Sequence, residues 1–398
     1  MNKKKVAIIG AGLSGLITAK LLSKDKYDIT IFEKESMPGG RMRTIIKDKW
    51  QLDLGFQVLL TGYPYLKKYA DLSSLNVLNL EPGATIFGEN KTSKLGDPGR
   101  NLSFLFPTLF SFAGTLKDKF LVFKLNMFVK KRSIDELFAL ENKTTLEFLD
   151  DFGFSDQIIG NFFRPFYSGI FLEDELRTSS RMFLFIFKMF SEGDAVIPKG
   201  GIGELCSNLA NGIDDINIEF NTVVTSIENN TVRYNNSEKA FDIIINTNPT
   251  FNNSSRTQWK SCHVFYFEHE GEPIIQGPMI GLIAQKNKLI NNIFYAHLSQ
   301  TDKPSDKALL SLTVVNDQNL SIDALKEKVY NEASSLIKKR LDFVEHYSIP
   351  KSLPDLSVPK NDIELDINRT IHIGDYVLNG SQNAACKIAE IVAQKLNS

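Results

Sequence analysis

Residues Val6 to Thr44 read VAIIGAGLSGLITAKLLSKDKYDITIFEKESMPGGRMRT. Val6 to Ile9 is a short apolar run of the kind a buried parallel strand carries. Gly10, Gly12 and Gly15 follow as G-x-G-x-x-G, and Leu16 to Leu22 continues with helical spacing. Ile29 to Phe32 is a second apolar strand that ends in Glu33. Gly10 permits a tight turn, Gly12 lets the backbone approach a pyrophosphate, and Gly15 lets helix and strand pack closely. The helix N-terminus adds free N–H groups and a positive dipole end. Glu33 follows Gly15 by 18 residues, close to the spacing of a carboxylate that holds ribose hydroxyls, and is expected to end its strand near the surface. A lone glycine motif says little; here strand, turn, helix, strand and acid come in the required order.

A secretory signal is a decoy reading of the same stretch. Lys3 to Lys5 precede an apolar run, but that run holds three glycines and flows into Glu33 without a convincing small-residue cleavage site.

The continuation selects among dinucleotides. Met37-Pro38-Gly39-Gly40-Arg41-Met42-Arg43-Thr44 allows a second close backbone approach, with Arg41 and Arg43 able to offset phosphate charge. The string G-x-G-x-x-G, Glu33, G-G-R-x-R-T resembles the flavin-containing amine oxidase and phytoene desaturase superfamily of FAD-dependent oxidoreductases, which includes protoporphyrinogen oxidase-like members. In that family G-G-R runs past the FAD pyrophosphate toward the flavin. An Asp-x-Gly segment then delivers the chain to the isoalloxazine ring; Asp53-Leu54-Gly55 with Phe56 and Gln57 stands in its place. Farther on, Val224 matches a valine whose backbone meets the adenine. Ile371-His372-Ile373-Gly374-Asp375 matches the segment whose aspartate contacts the ribitol. The helix from Gln382 to Leu396 would point its N-terminus at the flavin N1 and O2 edge. The resemblance thus implies cofactor contacts from Gly10, Gly12, Leu13, Ser14, Gly15, Glu33 and Lys34, from Gly39 to Arg41 and Gly55 to Gln57, and from Val224, Gly374, Asp375 and Gln382. It implies noncovalent FAD, since no Cys or His lies in a recognisable attachment context.

Composition narrows the rest. At 398 residues the chain suggests two to three domains. A net charge of −1 and pI near 6.6 leave no footprint for nucleic acid. Cys206, Cys262 and Cys386 are scattered, which argues for a reducing compartment and against a zinc site. His263 and His269 sit in a strand-like segment and read as structural, and no metal spacing occurs. No apolar run approaches the ~18 residues of a transmembrane helix. The expected setting is cytoplasmic, with membrane-surface contact left open.

The expected fold is α/β: a Rossmann-like FAD domain of the glutathione reductase type, assembled from residues 1–75, 196–250 and 356–398. A discontinuous α+β substrate domain takes 76–195, a helical insertion, and 251–355, an antiparallel sheet. Ile218 to Ile227 reads as one strand, Phe241 to Pro249 as the next, Ile322 to Arg340 as a helix, and Ser348 to Pro359, with three prolines, as a linker. Residues 101–190 hold about two-thirds of the 29 phenylalanines. They read as a core, as the wall of a large apolar site, or as a membrane-facing surface near Lys130 to Arg132. Thr144 and Glu147 form a capping-box pair. Asn161 to Ser180, with F-x-R-P-F, resembles the substrate domain of desaturase-like and porphyrinogen oxidase-like relatives. Arg164 and Tyr167, polar groups in an apolar run, are pocket candidates together with Gln57.

The reaction implied is hydride transfer from a substrate C–H to flavin N5, with reoxidation by oxygen or a quinone. Amine oxidases commonly place a cage aromatic where Ser381 stands, and many set a lysine near N5 that has no evident counterpart here. These departures favour a large apolar substrate over a small amine. Small-amine oxidation and a non-redox FAD-dependent isomerase or mutase remain the alternatives.

Overall fold

The structure, a computed structural model, describes residues 3–251, 257–301, 306–366 and 370–398. Val6 to Ile9 are buried and form the inner part of the strand Lys4–Ile9. This strand is the centre of a five-stranded sheet with the order Asn217–Glu219, Tyr27–Phe32, Lys4–Ile9, Ile243–Asn246, Ile371–His372. Every pairing in it is parallel. Both faces of such a sheet are covered, which is why its central strands are continuous apolar runs. Helix Leu13–Leu21 lies on one face beside the terminal helix Gln382–Asn397. Asn397 closes that packing: its Nδ2 donates to the Leu21 carbonyl and its Oδ1 accepts from Ser23 N, both at 3.0 Å. Chain start and chain end are therefore one structural unit.

A second sheet has seven strands in the order Asp342–Pro354, Trp259–Glu270, Lys307–Val314, Ile290–Tyr295, Ile280–Ile283, Gly83–Phe87, Thr92–Gly96. It is antiparallel except where Ile280–Ile283 meets Gly83–Phe87. One face packs on helix Ile322–Ile337 through Leu325, Val329 and Ala333. The other carries Ala84, Ile86 and Leu282, which meet Phe162 and Phe166 of the helical region.

That helical region comprises Leu105–Phe110, Leu116–Lys130, Ile134–Phe138, Thr145–Phe152, Arg164–Phe171 and Ser180–Glu192. Thr144 and Glu147 form the expected capping box, and Gly153 ends the helix in the left-handed region. Most of the phenylalanines here are core. Phe163, Phe171, Phe183 and Phe185 are fully buried, and Phe183 lies 4.7 Å from the Tyr167 ring. Each such burial contributes about 1.5–3 kcal/mol.

Three sequence expectations need correction. Ile218 to Ile227 is not one strand. The chain leaves the parallel sheet after Glu219, turns through Asn221 at φ +54°, and starts a separate antiparallel sheet at Val224–Glu228. Asparagine tolerates that left-handed turn, and hydropathy alone does not register it. Ser348 to Pro359 is not a simple linker, because Asp342–Pro354 is a strand. It lies at the sheet edge, and Pro350 falls where the pairing with Trp259–Glu270 is irregular, between Ile349 and Leu353. The helix from Ile322 stops at Ile337 because Lys338 turns left-handed.

Candidate functional site

Two glycine turns face each other at the end of the central strand. Gly10 turns at φ +105°, where a Cβ would stand 2.3 Å from Thr247 Oγ1; a Cβ on Gly15 would stand 2.1 Å from the Gly10 carbonyl oxygen. These two positions are closed to side chains by the fold itself. Gly12 differs. Its Cβ would find only the Gly39 oxygen and the Gly40 Cα, each 4.0 Å away. Gly39 N donates to Ala11 O at 2.9 Å, which fixes one turn against the other. The helix that opens at Leu13 has no side-chain cap and no acid in its first turn, and Leu13, Ser14 and Gly15 are buried within it. The arrangement is a backbone cradle at the positive end of a helix dipole, suited to a diphosphate.

Glu33 is 4% exposed, not near the surface as its strand-end position suggested. Its carboxylate accepts from Ala11 N at 2.8 Å and Glu35 N at 3.0 Å, so it ties the first glycine turn to the loop that follows its own strand. Lys34 beside it points outward. Asn221 N and Thr222 N donate to the carbonyls of Glu35 and Glu33, which brings Val223 and Val224 alongside. Val224 pairs with Tyr234 in the small sheet, and its side chain packs near Phe32.

Arg41 reaches across to the last motif. Its Nη2 forms an ion pair with Asp375 Oδ1, its Nη1 donates to Ser352 O at 3.0 Å, and its guanidinium lies 5.4 Å from the Trp259 ring. Gly374 holds φ +145° and presents Asp375, which is 7% exposed. Ser381 caps the terminal helix, donating to Asn379 Oδ1 and accepting from Ala384 N. That duty explains why a small hydroxyl stands there in place of an aromatic ring. Gln382 donates to the Val58 carbonyl at 3.2 Å, while its Oε1 is buried without a partner; Arg43 Nε is likewise buried without one.

A cavity of about 20 Å³ lies next to Gly55, lined by Phe56, Gln57, Asp53, Tyr266, Phe294 and Ser311 among others. Gly55 turns at φ +93°, and the Phe56 and Phe294 rings close the space 4.9 Å apart. Asp53 accepts from Thr44 Oγ1 at 2.6 Å and Ile202 N at 3.0 Å, and burial pushes its carboxyl up to about 6. Tyr266 donates to the Asp53 carbonyl at 2.8 Å.

Gln57 lines this cavity, yet its Nε2 is committed to the carbonyls of Arg41 and Leu54, both at 2.9 Å. It ties the G-G-R segment to the Asp-x-Gly segment. The other two pocket candidates do not reach the cavity. Tyr167 is 2% exposed within the aromatic core, where burial raises its hydroxyl pKa. Arg164 donates to the Asp174 carbonyl at 2.7 Å and braces the turn after its own helix. In their place the sheet supplies Tyr266, Phe294 and Ser311. Their signal in the sequence is alternation: in KALLSLTV, Ser311 and Thr313 fall on the face opposite Leu310 and Leu312.

The parallel sheet, its paired glycine turns and the buried acid define a nucleotide-cofactor domain joined to a sheet-roofed cavity. The family model for flavin containing amine oxidoreductases matches residues 13–259, and the chain belongs to that family. It is 38% identical over 68 residues to an L-amino-acid oxidase of Sistrurus catenatus edwardsii, covering 17% of this chain and 13% of that protein. It is 38% identical over 93 residues to the coproporphyrinogen III oxidase of Staphylococcus aureus, covering 22% and 20%. The matched segments thus span a fifth or less of those relatives' lengths. An oxidoreductase structure from Methanosarcina mazei aligns with TM-score 0.74 at 18% identity over 98% of this chain and 99% of its own, and shares the fold. Among the described residues no helix is long and apolar enough to cross a membrane, and no cluster of side chains suits a metal ion.

Proposed function

We propose that the protein is an oxidoreductase that holds FAD noncovalently and oxidises a C–H bond of an uncharged, mainly apolar substrate. The observation that carries this reading is the junction of the paired glycine turns, through Arg41, to Asp375 and the terminal helix. Such a site suits an elongated dinucleotide, and the residues present fit FAD. Gly12 and Gly40 face each other across open space, a Cβ on Gly12 meeting nothing nearer than 4.0 Å, and the buried Gln382 Oε1 and Arg43 Nε lack partners of their own. Glu33 would hold the ribose hydroxyls, Arg41 would offset phosphate charge, and Asp375 would meet the ribitol. The N-terminus of the Gln382 helix would favour negative charge on the reduced ring. Bound FAD supplies a hydride acceptor at N5, with oxygen or a quinone as the final oxidant.

The cavity bears on the charge of the substrate. Phe56, Phe294 and Ile197 offer apolar surface, and Gln51, Gln57, Tyr266, Ser299 and Ser311 offer neutral polar atoms. Among the described residues no lysine or arginine lines it, and the Asp53 carboxylate already accepts from Thr44 and Ile202. An ammonium substrate would lose water there with little compensation. Because Phe56 and Phe294 close the space, a large substrate requires those rings to part. The test is anaerobic stopped-flow absorbance of the holoprotein with two panels: small amines, and neutral polyenes or porphyrinogens. Flavin bleaching by the apolar panel supports the reading. Bleaching by amines alone would restore an amine oxidase, and turnover of a substrate without net flavin reduction would indicate an isomerase.

A further inference from the structure

We infer that residues 102–127 form a docking surface for an anionic lipid bilayer, lying on the membrane without spanning it. This inference is independent of the proposed redox chemistry. Helix Leu116–Lys130 is apolar on two sides. One side, with Leu121, Leu125 and Val129, is buried against the helical core. The other carries Leu116, Phe120, Phe123 and Met127 at the i, i+4, i+7, i+11 spacing of a single stripe, and all four are exposed, Phe120 by 66%. A helix with one core to serve needs one apolar stripe.

The preceding segment repeats the pattern. Leu102, Leu105, Phe106, Leu109 and Phe110 are all exposed, Phe110 by 78%. Lys119 binds the two pieces together, its Nζ donating to the Leu109 carbonyl at 2.7 Å. Nine of the sixteen large exposed apolar side chains among the described residues therefore fall in this one stretch, a patch beyond the scattered exposure of ordinary surfaces.

Charge selects the occupant. Between Arg100 and Arg132 the sequence holds seven lysines and arginines and one acid, in a chain whose net charge is −1. That acid, Asp118, is fully buried and bonded to Ser155 and Thr115, so it does not offset the lysines. Lys117 and Lys124 flank the stripe, and Lys130 and Lys131 end the helix. Exposed phenylalanines ringed by lysine suit the boundary of an anionic bilayer, whereas lysine is depleted at protein–protein contacts.

The test is flotation of the full-length holoprotein with phosphatidylcholine vesicles, with and without phosphatidylglycerol, alongside light scattering. The protein is expected to float with the phosphatidylglycerol vesicles, less so as salt rises. Lys117→Gln and Lys124→Gln should each weaken partition about fivefold. Phe120→Ser with Phe123→Ser should abolish flotation while flavin content and melting temperature hold. No flotation of the wild type, equal flotation of the double serine variant, or a dimer that this variant dissolves would overturn the inference; the last result would assign the face to a second copy.

Discussion

Arg41 and Asp375, 334 positions apart, form an ion pair that joins the second glycine turn to the C-terminal motif. The Arg41 side chain is partly exposed, but Asp375 is buried, so removing the arginine leaves a buried carboxylate without its counter-charge. Arg41→Ala is expected to weaken FAD binding by roughly 1.5–3 kcal/mol, the range for a hydrogen bond to a charged group. Arg41→Lys should recover only part, because an ammonium cannot serve Asp375 and Ser352 with a planar fork. Equilibrium dialysis of FAD checks both variants.

Glu33→Ala should act twice. Loss of the ribose partner costs cofactor affinity by roughly 1.5–3 kcal/mol, and the unbraced N–H groups of Ala11 and Glu35 cost roughly 1–3 kcal/mol of stability without cofactor. Melting of the flavin-stripped protein separates the second effect from the first. An unchanged melt with unchanged FAD occupancy would remove Glu33 from both roles.

The glycines should divide by function. Gly15→Ala forces a Cβ into the Gly10 carbonyl and should destabilise the stripped protein by several kcal/mol or prevent folding. Gly12→Ala meets nothing nearer than 4.0 Å and sits at an ordinary extended φ of −81°. It should melt within about 1 kcal/mol of the wild type and yet retain little flavin.

The glycine turns were legible in the sequence because a turn is set within a short span, whereas the burial of Glu33 was not, since it depends on the Ala11 and Glu35 N–H groups that the folded turns bring to it. Arg164 and Tyr167 were not, since a polar residue in an apolar run looks the same whether it lines a pocket or plugs a core. The aromatic cluster around Phe183 settles Tyr167 only once the helices are packed. The break after Glu219 escaped because Asn221 turns the chain inside an otherwise strand-like run. Pro350 suggested a linker because sequence does not reveal which strand is an edge. Alternation places Ser311 on one face of its strand, but which face meets the cavity is set only by the packing of the sheet.

Stability should depend on pH through Asp53. Burial raises its carboxyl to about 6, above the value of an unfolded chain, so the folded state binds the proton more tightly. The stabilisation from that proton is full below the unfolded value near ~4 and is lost as pH rises through about 6. Asp53→Asn removes this loss and should stabilise the protein at pH 8 by up to about 2 kcal/mol, with the advantage shrinking toward pH 4. Urea unfolding at both pH values measures it.

The absorbance spectrum of the purified chain, taken before and after denaturation and removal of protein, bears most directly on the proposed cofactor. The expected result is a flavin spectrum with about one equivalent of FAD released to solution. Flavin that stays with the peptide, or a nicotinamide dinucleotide in its place, would contradict it.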